Sequence, residues 1–156
     1  MPLYEHKQFI KAPIEVCFDL AREVGVHTQT ALKASGKAVG GVINGLLEEA
    51  DSVTLEFVHF GIKQKVTSRV IFMEKPHSFV VKMVKGPFSS FIYIHQFIEE
   101  EVGTTIIHHF QYKSRFSLIG VLMDKLFLAK PMENFIVNRA KVLKKIAEIK
   151  TNQTFD

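Results

Sequence analysis

The chain has no tryptophan, a single cysteine (Cys17) and only five prolines in 156 residues. One thiol excludes an internal disulfide framework, so the fold has to rest on a buried apolar core, and a reducing cytoplasm is the expected compartment. No apolar run approaches the roughly 18 residues of a membrane span. The first residues, Met1 to Lys7, also lack the apolar centre of a secretory signal, so integral membrane insertion is not expected. Low-complexity tracts, repeats and linkers are missing as well. This points to one domain over 1–150, followed by a polar 151–156 tail expected to be flexible. Gly45, Gly61, Gly86 and Gly103 are scattered over turns, and none opens a helix in a phosphate-binding pattern. The histidines have no compact metal-ligand spacing, so no metal and no cofactor is assigned.

What remains is the make-up of an ordinary globular domain, 47% hydrophobic and 23% charged, with 14 Phe and 3 Tyr to fill its interior. Lys and Arg total 20 against 16 Asp and Glu, a net charge of +4. Five of the cations, Arg139, Lys141, Lys144, Lys145 and Lys150, cluster on one predicted helix. A solvated helix face is the reading preferred for them, so no nucleic-acid partner is assigned; a footprint for nucleic acid or an anionic membrane is the alternative.

Periodicity orders the elements. Tyr4 to Lys11 alternates as a strand and stops at Ala12-Pro13, where proline suits the start of a helix. Ile14, Cys17, Phe18 and Ala21 then fall at i, i+3, i+4 and i+7, an apolar stripe that turns Cys17 toward the core as a packing residue. A second short helix is expected over 26–34. From Ala38 to Tyr112 the period is two, predicting antiparallel strands near 39–48, 52–60, 62–73, 78–85, 91–100 and 104–113. Lys63, Lys65, Thr67 and Arg69 mark the wet face; Gln64, Val66, Ser68 and Val70 mark the inner one. After Ser114 the period becomes helical through most of thirty residues, and Pro131 is expected to kink or break that helix. Such a hinge would let the first half of the helix swing to admit a ligand.

Seven antiparallel strands with one apolar face need a cover, and the long terminal helix is the element large enough to supply it. The space between a curved sheet and one helix makes a natural apolar pocket. The order of elements, together with Lys11-Ala12-Pro13-Ile14-Glu15-Val16-Cys17-Phe18, His59-Phe60-Gly61, Gly86-Pro87-Phe88, His95-Gln96-Phe97 and Arg139, resembles the START-like helix-grip superfamily (SRPBCC). Within that superfamily it is similar to a bacterial polyketide cyclase/dehydrase-like subgroup, from whose pattern it departs at Tyr93, His108 and Pro131. The resemblance implies an α+β helix-grip fold, with a seven-stranded curved sheet wrapped around a long C-terminal helix and two short helices near the N-terminus. It also implies a small hydrophobic ligand such as a lipid, isoprenoid, polyketide or aromatic molecule.

His59, Tyr93, His95 and His108 share the inner parity, whereas His109 has the opposite parity and serves as a control. Buried imidazoles must be satisfied by one another, by water or by a ligand. Arg139 lies beside the inner stripe of the last helix and needs an anion, a strand carboxylate or a ligand group. The expected ligand-contacting set is Phe57, His59, Gln64, Tyr93, His95, His108, Met123, Phe127 and Arg139. A binding or carrier protein is the favoured reading. An enzyme of the cyclase or dehydratase type, using His59 or His95 as acid–base, is one rival, and an interaction module using the basic helix face is another. Catalytic residues are not assigned.

Overall fold

The computed structural model describes residues 3–24, 37–59, 62–86, 88–114 and 129–155, with backbone alone at 57–59, 62, 88, 114, 129–132, 135 and 153–155. The elements run β1 (Leu3–Ile10), α1 (Ile14–Ala21), β2 (Lys37–Gly41), β3 (Ser52–His59), β4 (Ile62–Glu74), β5 (Ser78–Lys85), β6 (Phe88–Glu99), β7 (Thr104–Ser114) and α2 (Ala129–Phe155). The strands form one sheet in the order β1-β7-β6-β5-β4-β3-β2, antiparallel throughout. Consecutive strands pair as the short turns require, and β1 closes against β7, the last strand of the meander. Register shifts at Thr67/Ser68 and Val70/Phe72 in β4, at Ala38/Gly40 in β2 and at Phe88/Ser90 in β6 bend the sheet. The result is the expected α+β helix-grip architecture.

The concave face is closed from two sides. At the start of α1, Pro13 sits in an extended conformation at the N-cap, and the helix buries Ile14, Cys17, Phe18, Leu20 and Ala21. Phe18 is the wedge: its ring meets Phe79 and Phe97 edge-on at 5.4 and 5.2 Å, locking α1 onto β5 and β6. Thr104 Oγ1 donates to the Ala12 carbonyl at 2.8 Å, tying the turn before α1 to β7. Cys17 is fully buried, and burial pushes its thiol up to about 11, as befits a packing residue. α2 packs on α1 and β1, burying Ile136, Ala140, Leu143 and Ala147 along one stripe. Lys141, Lys144, Lys145 and Lys150 are exposed, while Arg139 turns inward.

One expectation changes. The strand predicted over 39–48 ends at Gly41, because Gly41 and then Gly45 adopt positive φ (67° and 86°), which breaks an extended run. The chain then folds under the end of α1. Val24 N–H donates to the Gly45 carbonyl at 2.9 Å, Leu47 N–H donates to the Arg22 carbonyl at 3.0 Å, and Leu47 is buried. Arg22 anchors this loop by salt bridges to Asp19 at 2.7 Å and Glu48 at 2.8 Å. At the other end α2 continues to Phe155, with no proline or glycine to stop it. Pro131 is the third residue of α2, where a missing N–H breaks no bond of that helix. The expected kink and swinging half concern 115–128, and the expected helix over 26–34 concerns 25–36. Both segments lie outside the described residues.

The wedge role predicts that Phe18→Ala destabilises the fold by about 3–5 kcal/mol, since the ring leaves a cavity between two elements. Urea unfolding should show the midpoint falling at unchanged slope; a loss under 1 kcal/mol would mean that α1 is held by something else.

Candidate functional site

Strict alternation on β6 and β7 sends Tyr93, His95 and Phe97, and Ile106, His108, Phe110 and Tyr112, to the concave side, where all are buried. Register does the rest. His95 lies opposite His108, Tyr93 lies opposite Phe110, and on β1 His6 lies opposite His108. Three polar rings that are scattered in sequence therefore share one patch. His95 is sandwiched between Phe79, at 4.2 Å and 15°, and Tyr93, at 4.0 Å and 3°. The Tyr93 hydroxyl lies 2.8 Å from His108 Nδ1.

Arg139 reaches this patch from α2. Its guanidinium carbon is 5.3 Å from the centre of the Tyr93 ring, and it also hydrogen-bonds the Tyr93 phenol. Its Nη2 donates to the Ala21 carbonyl at 3.0 Å and lies 3.5 Å from His95 Nε2. Ala21 is the last residue of α1, so the guanidinium meets the carbonyl end of a helix, where partial negative charge collects.

Burial governs the titration of the patch. Desolvation raises Tyr93 to about 12, against the pull of the Arg139 charge and hydrogen bond. Desolvation, reinforced by the Arg139 charge and more weakly by the neighbouring His6 and His109, lowers His108 to about 3. Arg139 is itself lowered by desolvation, and Tyr93 opposes that shift. At neutral pH the patch thus presents a neutral imidazole, a neutral phenol and a buried cation.

Of the expected ligand-contacting residues, Tyr93, His95, His108 and Arg139 come together. Gln64 is half-buried on β4, opposite Phe57 of β3. Phe57 and His59 occupy β3, but their side chains lie outside the described residues, as do Met123 and Phe127 altogether. His109, the outward control, lies 3.1 Å from Gln96 Oε1 and 3.4 Å from Glu5, away from the patch. Sequence reasoning missed His6, half-buried with its ring centre 6.0 Å from that of His108, and the fully buried Tyr112. Both were recoverable from parity: His6 alternates in step with Tyr4 and Ile10, and Tyr112 with His108 and Phe110.

Two clefts open on the outside of the described structure. One of 290 Å³ is bounded by Glu15, Phe18, Asp19, Arg22, Lys75 and Pro76, and another of 460 Å³ lies between the β6–β7 turn, the start of α1 and Thr151-Asn152. Neither includes the Tyr93–His95–His108–Arg139 patch. Among the described residues no group of three or more His, Cys, Asp or Glu is placed to hold a metal ion, and no helix is long and apolar enough to cross a membrane.

No family model matches the chain, and no curated protein matches it. Solved structures do. The Thermus thermophilus protein TTHA0849 is 21% identical with a TM-score of 0.73, the alignment covering 92% of this chain and 95% of that one. Ara h 8.0201 is 12% identical with a TM-score of 0.65, covering 94% and 97%. The di-domain ARO/CYC StfQ of the steffimycin biosynthetic pathway is 10% identical with a TM-score of 0.75, covering 96% of this chain and 51% of that one. The likeness is one of fold, the helix-grip fold of a curved antiparallel sheet against a long C-terminal helix.

The depressed His108 makes stability depend on pH with a definite sign. The unfolded imidazole binds a proton below its usual 6.5 and the folded one only below about 3, so the contribution is complete above pH 6.5 and is lost as pH falls toward 3. Within that window the slope from this one group should approach about 1.4 kcal/mol per pH unit. Urea unfolding at pH 7, 5 and 4 should show a shallower decline in His108→Gln than in the parent; identical slopes would mean that His108 titrates normally.

Proposed function

We propose that this helix-grip protein binds or carries a small hydrophobic molecule, with one polar end, between the curved sheet and the C-terminal helix. The observation that carries the reading is the patch of Tyr93, His95, His108 and Arg139, polar groups buried in a concave face that is otherwise Phe, Tyr, Ile and Val. Burying a guanidinium and two imidazoles costs free energy that a structural core could avoid with aliphatic side chains. Directed polar groups in an apolar surround are what orients a small molecule. Phe57, His59, Gln64, Met123 and Phe127 complete the proposed ligand surroundings, and the cytoplasm is the proposed compartment. Entry by a swinging first half of the terminal helix, ahead of Pro131, belongs to the same proposal.

The titration positions of Tyr93 and His108 favour binding roles for these two groups. A general acid or base works best when its pKa is near the operating pH. A His108 near 3 stays a neutral imidazole at physiological pH and takes a second proton reluctantly, while a Tyr93 near 12 gives one up reluctantly. Both suit fixed hydrogen bonds.

Native mass spectrometry of protein purified from a lipid-containing extract should reveal a discrete bound lipid, isoprenoid or aromatic mass. Arg139→Leu, which removes the buried cation while keeping an apolar side chain, should fold and lose at least about tenfold in occupancy. A clean unbound mass, with no thermal stabilisation by a library of hydrophobic compounds, would defeat the binding reading.

A further inference from the structure

We propose that His108 presents a buried hydrogen-bond donor, its Nε2–H, to a carbonyl oxygen at the inner end of the bound molecule, and that Tyr93 fixes the tautomer which makes this possible. The proposal rests on the binding reading above and names the ligand chemistry that the same site selects.

The protons in the patch can be counted. Arginine only donates, so its hydrogen bond to Tyr93 uses the phenol oxygen as acceptor. The phenol has one proton of its own, and the acceptor next to it is His108 Nδ1 at 2.8 Å. Suppose instead that His108 carried its proton on Nδ1 and donated to Tyr93. The phenol proton would then have no acceptor among the described residues, and the Nε2 lone pair would have no donor, in a site where Tyr93 is 3% exposed and His108 is 0% exposed. With the phenol donating to Nδ1, one unmet group remains, the Nε2–H. Unmet buried polar groups are costly, so the arrangement with one prevails over the arrangement with two.

That last proton has a direction. In an imidazole, Nδ1 adjoins the carbon that carries the side chain, and Nε2 lies on the far edge of the ring. Nδ1 is taken up beside the sheet by Tyr93, so Nε2–H projects away from β7 toward the interior. Nε2 is buried and has no hydrogen-bond partner among the described residues. The surrounding rings, His6, His95 and Tyr93, have their centres 6.0, 5.7 and 5.9 Å from that of His108. A neutral donor held in this way suits an oxygen acceptor and rejects a head group that can only donate. Burial and the nearby Arg139 charge keep the imidazole from taking a second proton across the physiological range. Arg139, Tyr93 and His108 form a chain of donors: the cation orients the phenol, the phenol orients the imidazole, and the imidazole faces the ligand.

The test uses the full chain and three probes that share a naphthalene body: 2-acetonaphthone, with a carbonyl; 2-ethylnaphthalene, with no polar group; and 2-naphthylmethylammonium, a donor only. Before any probe is added, long-range 1H–15N spectra should show His108 protonated on Nε2 and bare on Nδ1; the opposite tautomer overturns the proposal at once. The ketone should bind about tenfold more tightly than the hydrocarbon, the worth of one good hydrogen bond. It should also move the His108 Nε2–H resonance downfield, and the ammonium should bind worst. Tyr93→Phe should populate both tautomers and reduce the ketone's advantage over the hydrocarbon. If ketone and hydrocarbon bind equally and the Nε2–H resonance stays put, the proposal fails while the binding reading stands. If no probe binds and none stabilises the protein, the binding reading fails and this inference falls with it. Should Tyr93→Phe not fold, the tautomer and ketone measurements on the parent chain still decide the matter.

Discussion

A guanidinium held out of water is the constraint around which the interior of this protein is arranged. Arg139 is 5% exposed, and removing such a charge from solvent costs several kcal/mol unless its surroundings answer it. The answer comes from three elements at once. α1 offers the carbonyl of Ala21, β6 offers the faces and edges of Tyr93 and His95, and α2 holds the arginine itself. Because the partners lie on different elements, the sheet, the first helix and the last helix have to meet at that point. The apolar wedge of Phe18 against Phe79 and Phe97 brings α1 to the place where its last carbonyl can serve.

The same desolvation sets the chemistry. Pulling Tyr93 up and His108 down removes both from the range where protons move easily at neutral pH, leaving fixed donors and acceptors beside a fixed charge. Burial is what makes such groups exacting: in water each would find a partner anywhere, whereas in an apolar surround any group left unmet is penalised.

Much of this was legible in the residues. Period-two alternation from Val53 to Tyr112 located five of the six meander strands closely and set the inner face, because a pleated strand sends alternate side chains to opposite sides whatever else the chain does. The i, i+3, i+4, i+7 stripe of Ile14, Cys17, Phe18 and Ala21 located α1 and buried Cys17 for the same kind of reason. The segment after Gly41 was misread as strand because its hydrophobic residues suit either reading. What decides is the left-handed backbone at Gly41 and Gly45 and the docking of Leu47 beneath α1, neither of which periodicity expresses.

Local periods and chain breakers suffice to say which residues face inward, where most of the strands turn and that a long amphipathic helix ends the domain. The assembled fold alone sets His95 opposite His108, brings the Tyr93 hydroxyl to His108, adds His6 from the other end of the chain and lets Arg139 meet the end of α1. Those are contacts between residues up to 118 positions apart. They follow from strand register, sheet curvature and helix docking, which are properties of the assembled core and of no single segment.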